Sequence, residues 1–451
     1  MKRIDFDNCN VAGNILNAAI PMLVAQILSL LYNIVDRIYI ARIPDVGTAA
    51  LGAVGLCFPI ITIVTACSNL FGSGGAPLFS ISRGMGDSKK ANRIMNTSFS
   101  MVCAGAVVLT ILGIVFAKPI LVLFGASDNA LSYAYPYMTI FMLGTLPSMI
   151  STGMNPFINA QGYATTGMLS VAIGAIANFI LDPIFIFVFK LDVSGAAIAT
   201  FISNLLACIY FIIYLIITRK NSILNFSLKN LKFKDSVIFD IISSGLSSFF
   251  LSLMALFSNA SINKLMSGYS ASAISGVNIA KKVDLCIIAF AQGFAQGILP
   301  LIGYNFASKN DKRMNKIIRF SMIVSITFAG VCVVLFSIFP KQIVSIFIKD
   351  EQTVIYASNF LRILCISMPL TSMIFIFNTI FQATKQTIRA LITILLRKGF
   401  IDIPLMILLN HYIPIYGIVI SQPIVDCTAS IIAIILYITF IKNKKGKIVT
   451  N

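Results

Sequence analysis

Residues 165–189 read Thr165-Thr-Gly-Met-Leu-Ser-Val-Ala-Ile-Gly-Ala-Ile-Ala-Asn178-Phe-Ile-Leu-Asp182-Pro183-Ile-Phe-Ile-Phe-Val-Phe189. Coiled as an α-helix, this stretch would extend about 37 Å, more than the roughly 30 Å hydrocarbon core of a bilayer. Its one charged residue is Asp182. A carboxylate at mid-membrane costs at least about 2.5–3.5 kcal/mol, so it faces a partner or a watery cavity. Asn178 lies four residues upstream and shares its helix face. Pro183 lacks an N–H and frees a backbone carbonyl one turn back, where an ion or water can use it. The stretch therefore predicts a membrane-spanning helix that carries a polar site.

Working outward, the same apolar signature recurs along the chain. Twelve runs fall at roughly 14–40, 51–80, 94–117, 131–161, 165–189 and 194–218, then 238–266, 272–304, 317–339, 354–383, 388–410 and 415–441. The chain is 58% hydrophobic and 11% charged, against about 25% charged in soluble domains. The fold class predicted is an all-α polytopic membrane protein. The polar gap after residue 218 divides it into an amino-terminal six-helix lobe (1–218), a basic linker (219–236), a carboxyl-terminal six-helix lobe (237–441) and a basic tail (442–451). Lys2 and Arg3 precede a long first helix with no small-residue cleavage site, so no cleaved signal peptide is expected.

The net charge of +18 is an orientation signal. Of 34 Lys and Arg, 22 fall on one side of the twelve-helix order and six on the other. This positive-inside bias predicts a multi-pass cell-membrane protein with both termini cytoplasmic and excludes nucleic acid as a partner. The tail from Lys442 to Lys447 reads as an inner-leaflet anchor beside membrane lipids. Nine cysteines show no CxxC pair and read as small core residues. The single histidine, His411, is placed in a short loop, and no ligand cluster for metal chemistry is apparent.

The halves are copies at an offset of 223. Pro77-Leu and Asp87-Ser-Lys-Lys-Ala-Asn-Arg-Ile94 run against Pro300-Leu and Asn310-Asp-Lys-Arg-Met-Asn-Lys-Ile317. Phe116, Lys118, Phe124, Tyr133 and Asn155 fall on Phe339, Lys341, Phe347, Tyr356 and Asn378. Six helices per copy make the repeat parallel, with its axis along the membrane normal. Against this background the differences carry information. Asp36 corresponds to Asn259, and the Asp182 helix is matched only loosely by Ile401-Asp402-Ile403-Pro404. The Gly72-Ser-Gly-Gly75 segment reads as a close helix contact, since no Lys-Ser/Thr follows it as a phosphate loop requires.

Depth converges on one place. Asp36 lies about six residues before Arg42, roughly 9 Å from the outer end of its helix. Asp182 lies eight residues before Lys190, and Thr200 eight after Asp192 on the returning helix. Tyr137 is a few residues into the fourth run, and Tyr32 is one turn from Asp36 on the same face. All fall in the outer half of the membrane, as a shared cation site requires.

These segments resemble the MATE (multidrug and toxic-compound extrusion) family, in particular its bacterial multidrug exporters. The resemblance rests on Ile20-Pro21, Tyr32-Asn-Ile-Val-Asp36, Asn159-Ala-Gln-Gly162, Asn178-Phe-Ile-Leu-Asp182-Pro183 and Gly195-Ala-Ala-Ile-Ala-Thr200, in order on a duplicated frame. It implies two pseudo-symmetric six-helix bundles facing each other in a V, working as a monomer with no cofactor beyond the coupling ion, Na⁺ or H⁺. Residue by residue it implies a cation site at Asp36, Asn178, Asp182 and Thr200, with Na⁺ possible at Asp36 and Asp182. Tyr32 and Tyr137 would be hydrogen-bonding neighbours, Asn155 a substrate-cavity position, and Pro21 a hinge in the first helix.

The expected function is efflux of cationic amphiphilic drugs by antiport and alternating access, with substrate and cation competing for the acidic site. Pairing with Arg397 or Lys398 is expected for Asp402 and Asp426, and no ion site is expected in the carboxyl lobe. The alternative is a lipid or lipid-linked oligosaccharide flippase of the same superfamily. It would need a strongly cationic cavity, for which Arg37, Arg362, Arg397 and Lys398 are the candidates. An enzyme would need a nucleophile–base or metal set that one histidine does not supply.

Overall fold

A computed structural model describes residues 4–6, 10–44, 46–218 and 236–449, and all its regular structure is helical. The linker expected at 219–236 falls, but for Ser236, outside the described residues. The first half runs α1 (Val11–Ala41), α2 (Gly47–Gly84), α3 (Ser88–Val115), the short α4 (Ala117–Leu123), α5 (Asp128–Leu143), α6 (Thr145–Ala160), α7 (Ala164–Pro183) and α8 (Asp192–Thr218). The second runs α9 (Ser236–Met266), α10 (Ala271–Ala307), α11 (Asp311–Ile338), the short α12 (Pro340–Ser345), α13 (Glu351–Cys365), α14 (Met368–Ala383), α15 (Thr387–Leu395), α16 (Asp402–Tyr412) and α17 (Tyr416–Val449). Among the described residues nine helical spans are long and apolar enough to cross a membrane, ten with the bent α13–α14 pair.

The two remaining apolar runs are interrupted, and the interruptions have causes. The run at 131–161 breaks at Gly144, between α5 and α6. Pro147 has no N–H for the carbonyl of Leu143, so the helix restarts there. In the second copy α13 and α14 meet at a 48° bend beside Pro369. The run at 388–410 is interrupted by a π-helical turn, Leu396–Phe400, ahead of Pro404. A second π-turn, Ile184–Val188, follows Pro183 in the first half, closed by Phe189 N–H on the Ile184 carbonyl at 2.9 Å. His411 lies in the last turn of α16, not in a loop, and α17 carries the expected tail onward as helix to Val449.

The sequence repeat is repeated in the local structure. Asp87 caps α3 through the Lys90 N–H, and Asn310 caps α11 through the Arg313 N–H, 223 residues on. Ser127 and Asp350 cap α5 and α13 at the same offset. Each capping oxygen satisfies a backbone donor that a helix start leaves unpaired.

Where the halves meet, backbones touch. A Cβ on Gly74 of α2 would lie 2.3 Å from the Ile241 carbonyl oxygen and 2.9 Å from Gly245 Cα, both on α9. Its counterpart Gly297 on α10 would place one 2.6 Å from Ala19 Cα on α1, and Gly293 one 2.9 Å from Leu23 Cα. These two crossings are the same contact made twice, because residues 241 and 245 stand 223 after 18 and 22. The second crossing brackets Pro21, which stays within a continuous α1. Toward the Arg83 end the halves also meet. Gly84 packs against the Tyr304 backbone, and the buried Phe6 ring meets Tyr304 in a tilted contact at 5.2 Å while Arg83 lies over the Phe6 ring at 5.4 Å. The space between the halves is therefore closed at this end.

Candidate cation site and central cleft

The site predicted in the amino-terminal half forms where α1, α5, α7 and α8 converge. Asn178 and Asp182 sit one turn apart on the buried face of α7, directly before the π-turn that Pro183 sets up. The Asn178 amide donates to Asp182 Oδ1 at 3.2 Å and to Thr200 Oγ1 on α8 at 3.3 Å. Asp36 on α1 brings its carboxyl against that of Asp182. Tyr32, one turn back on α1, and Tyr137 on α5 are close enough to both carboxyls to feel their charge. One oxygen of each acid, Asp36 Oδ1 and Asp182 Oδ2, is buried with no hydrogen-bond partner.

That arrangement is unfinished as a set of neutral partners. A buried acceptor left unpaired costs about 1–3 kcal/mol, more when ionised. Two carboxyl oxygens together with the remaining lone pair of Thr200 Oγ1 form a donor set for a proton or a hard monovalent cation. The residues present thus fit either H⁺ or Na⁺. Among the described residues no group of three His, Cys, Asp or Glu forms a metal site.

Asn155 is not part of this cluster and does not line the cavity. Its amide donates to the Gly167 carbonyl at 2.7 Å, and its Oδ1 accepts from Asn159 at 3.1 Å. It ties α6 to α7 through a backbone oxygen, while its neighbours Pro156 and Asn159 reach the cavity. Asn155, expected at a substrate-cavity position, is thus turned toward α7 in this structure.

A cleft of ≈ 590 Å³ opens between the halves. Asp36 and Asp182 are not among its lining residues, so the expected competition of substrate and cation for the same oxygens has no shared surface here. The opposite wall differs in kind. Asn259, in the position of Asp36, accepts from Lys281 Nζ at 2.8 Å. Asp402 accepts from Ser258 at 2.6 Å, not from a cation. Asp426 pairs with Arg397 at 2.7 Å and accepts from Thr371 at 2.8 Å, all three buried. Of the four candidates for a cationic cavity, Arg397 and Lys398 reach the cleft, joined by Lys281. Arg37 instead lies over the Phe58 ring at 5.3 Å, and Arg362 donates to the Ser337 carbonyl. The signal for Lys281 was present in the repeat: position 259 loses an acid, and position 281, matching Phe58, gains a cation.

Buried oxygens in one half, a cleft between two related halves and a closed end together describe a membrane transporter. A family model described as MatE matches residues 21–184 and again 244–408. The chain belongs to the MatE family. The multidrug export protein MepA of Staphylococcus haemolyticus (strain JCSC1435) is 27% identical over 431 residues, covering 96% of this chain and 94% of that protein. MepA of Staphylococcus aureus (strain MRSA252) is 26% identical over the same shares. The fold matches a multidrug resistance MATE family transporter solved in an outward-facing conformation, with TM-score 0.92 at 21% identity over 99% of both chains. It also matches a MATE structure in a bent conformation, with TM-score 0.89 over 97% of both.

Proposed function

We propose that the protein is a multidrug exporter of the bacterial cell membrane that moves amphiphilic compounds by antiport with H⁺ or Na⁺, working as a monomer with both termini cytoplasmic. The observation that carries the reading is the pair of facing carboxyls at Asp36 and Asp182, each with a buried oxygen lacking a partner. Two adjacent buried charges of like sign need a cation between them, and here the cation is the coupling ion. The names of the staphylococcal relatives support drugs as cargo, and the basic side of the chain supports the orientation.

The cleft and the acidic pair are separate, so coupling runs through helix geometry. The cation joins Asp36 on α1 to Asp182 on α7 and draws the two helices together. In its absence their charges repel. Pro21 gives α1 a point where it bends without losing an N–H bond, and that point sits on the α10 crossing. Filling or emptying the site therefore biases how the halves lean on one another. Tyr32, Tyr137 and Asn178 hold the site's shape.

The test uses purified protein in liposomes preloaded with a fluorescent amphiphile, in separate batches a lipophilic cation and a carboxylate-bearing zwitterion. A Na⁺ gradient and a pH gradient are imposed separately on wild type and Asp36→Asn. Gradient-driven movement that the variant loses supports antiport and names the ion. Absence of movement under both gradients with folded protein refutes it.

A further inference from the structure

Among the described residues, the charged groups that line the cleft all come from the carboxyl-terminal half: Lys281, Asp284, Arg397 and Lys398. Arg397 is neutralised by Asp426 at 2.7 Å. Neither lysine has such an ion pair. Lys281 Nζ reaches only the amide oxygen of Asn259, and Lys398 Nζ only that of Gln422, each at 2.8 Å. No described carboxylate lies within 4.0 Å of either ammonium. An ammonium carries three donors, so each lysine has donors left over on the cleft wall. Both ammoniums line the same cleft, so an anion entering it can meet either one.

The acids nearby do not remove this polarity. Asp402, held by Ser258, and Asp426, held by Arg397, Thr371 and Gln422, do not line the cleft. They set a negative layer behind a positive face. Asp284 is the one acid on the wall; it and Asp402 act on both lysines through space, but neither pairs with them. Across the cleft the amino-terminal half offers uncharged groups such as Asn33, Thr62, Thr65 and Asn69. A cargo that is only cationic would meet like charge here.

We propose that Lys281 and Lys398 form an anion subsite, and that the cargo is an amphiphile bearing an acidic group such as a carboxylate. This rests on the export reading and names its substrate class. The shared chemistry extends to the phosphate of a lipid headgroup, which the test separates.

The probe pair is tetramethylrhodamine as its free acid, a zwitterion, and as its methyl ester, a monocation of nearly the same shape. Binding of each to the purified full-length protein in neutral detergent is followed by fluorescence polarisation, for wild type and Lys281→Gln/Lys398→Gln. Losing charge-assisted hydrogen bonds raises the Kd of the acid by roughly tenfold or more. The ester's Kd holds or falls, because two positive charges have left the wall. Equal weakening of both dyes, no change in either, or no binding of the acid by wild type overturns the subsite. Gradient-driven efflux from liposomes separates the two readings. Lysine-dependent binding of an acid that is never moved refutes export and keeps the subsite, whereas efflux of the acid that ignores the lysines does the reverse. Phosphatidylglycerol that competes with the acid in wild type but not in the variant assigns the subsite to a lipid headgroup. Lysine-dependent binding without that competition assigns it to a free amphiphile.

Discussion

Asp426→Asn removes the carboxylate that holds the carboxyl-terminal wall together. Asp426 Oδ1 accepts from Arg397 Nε at 2.7 Å and from Gln422 at 3.2 Å, while Oδ2 accepts from Thr371 at 2.8 Å. Arg397 in turn donates to Thr371 at 3.2 Å. One side chain thus ties α17 to the π-turn at 396–400 and to α14. Arg397 is 4% exposed, so the substitution strands a guanidinium away from water. Breaking a buried pair from one side costs about 3–5 kcal/mol. If the whole chain unfolds as one unit, the melting temperature falls by roughly 3–5 °C. If the carboxyl-terminal half unfolds alone, the fall is roughly 7–12 °C, since the unfolding entropy scales with the residues involved. The assay is the fraction of protein still eluting as a monodisperse peak after heating in detergent. Arg397→Gln/Asp426→Asn, which removes both charges, regains most of the loss. A single variant as stable as wild type, or a double variant worse than the single, would show that the pair does not hold the wall.

Three further outcomes follow from the same geometry. Asp36→Asn and Asp182→Asn each abolish gradient-driven efflux at wild-type expression and folding, and full activity in both would refute the coupling site. Asn178→Leu removes the donor shared by Asp182 and Thr200 and lowers apparent coupling-ion affinity by about tenfold in efflux titrations. Thr200→Val has a smaller effect, and Thr200→Ser retains function. Gly245→Ala places a methyl 1.9 Å from the Leu70 carbonyl oxygen, so α2 and α9 must part by about 1.4–1.7 Å to restore a C···O contact. Such overpacking costs about 1–3 kcal/mol, read as a lowered melting temperature, and an unchanged value would refute the contact.

The frame was legible because its signals are long. Apolar runs announce helices, and an offset that keeps polar residues such as Asp87 and Asn310 in register announces duplication. The acidic cluster was legible for a related reason: Asp182 in lipid is costly, and Asn178, Asp36 and Thr200 share its depth. What stayed hidden depends on contacts across the chain. Asn155 has the composition of a cavity residue, yet the Gly167 carbonyl takes its amide, and no spacing rule reports that. Lys281 and Lys398 read as helix-end cations in one dimension, whereas their neighbours Asn259 and Gln422 come from other helices. The separation of the acidic pair from the cleft is likewise a fact about which face of α1 and α7 meets α5 and α8.

The glycine crossings sit far from the middle of their helices. Gly74 is ten residues from the Arg83 end of α2 and twenty-seven from its start at Gly47. Gly297 divides α10 almost identically, ten residues from Ala307 and twenty-six from Ala271. If the halves turn about these contacts, each long helix is an unequal lever with arms of about 15 and 40 Å. A given rotation then sweeps the far ends through an arc about 2.7 times that of the near ends. A tilt of ten degrees displaces the far tips by about 7 Å and the near tips by under about 3 Å on those arm lengths. A mouth of equal width at the near end therefore requires a much larger rotation, or a change in the helices themselves. Three of the four helices at these crossings carry a proline within a turn of the fulcrum, Pro21 in α1, Pro77 in α2 and Pro300 in α10.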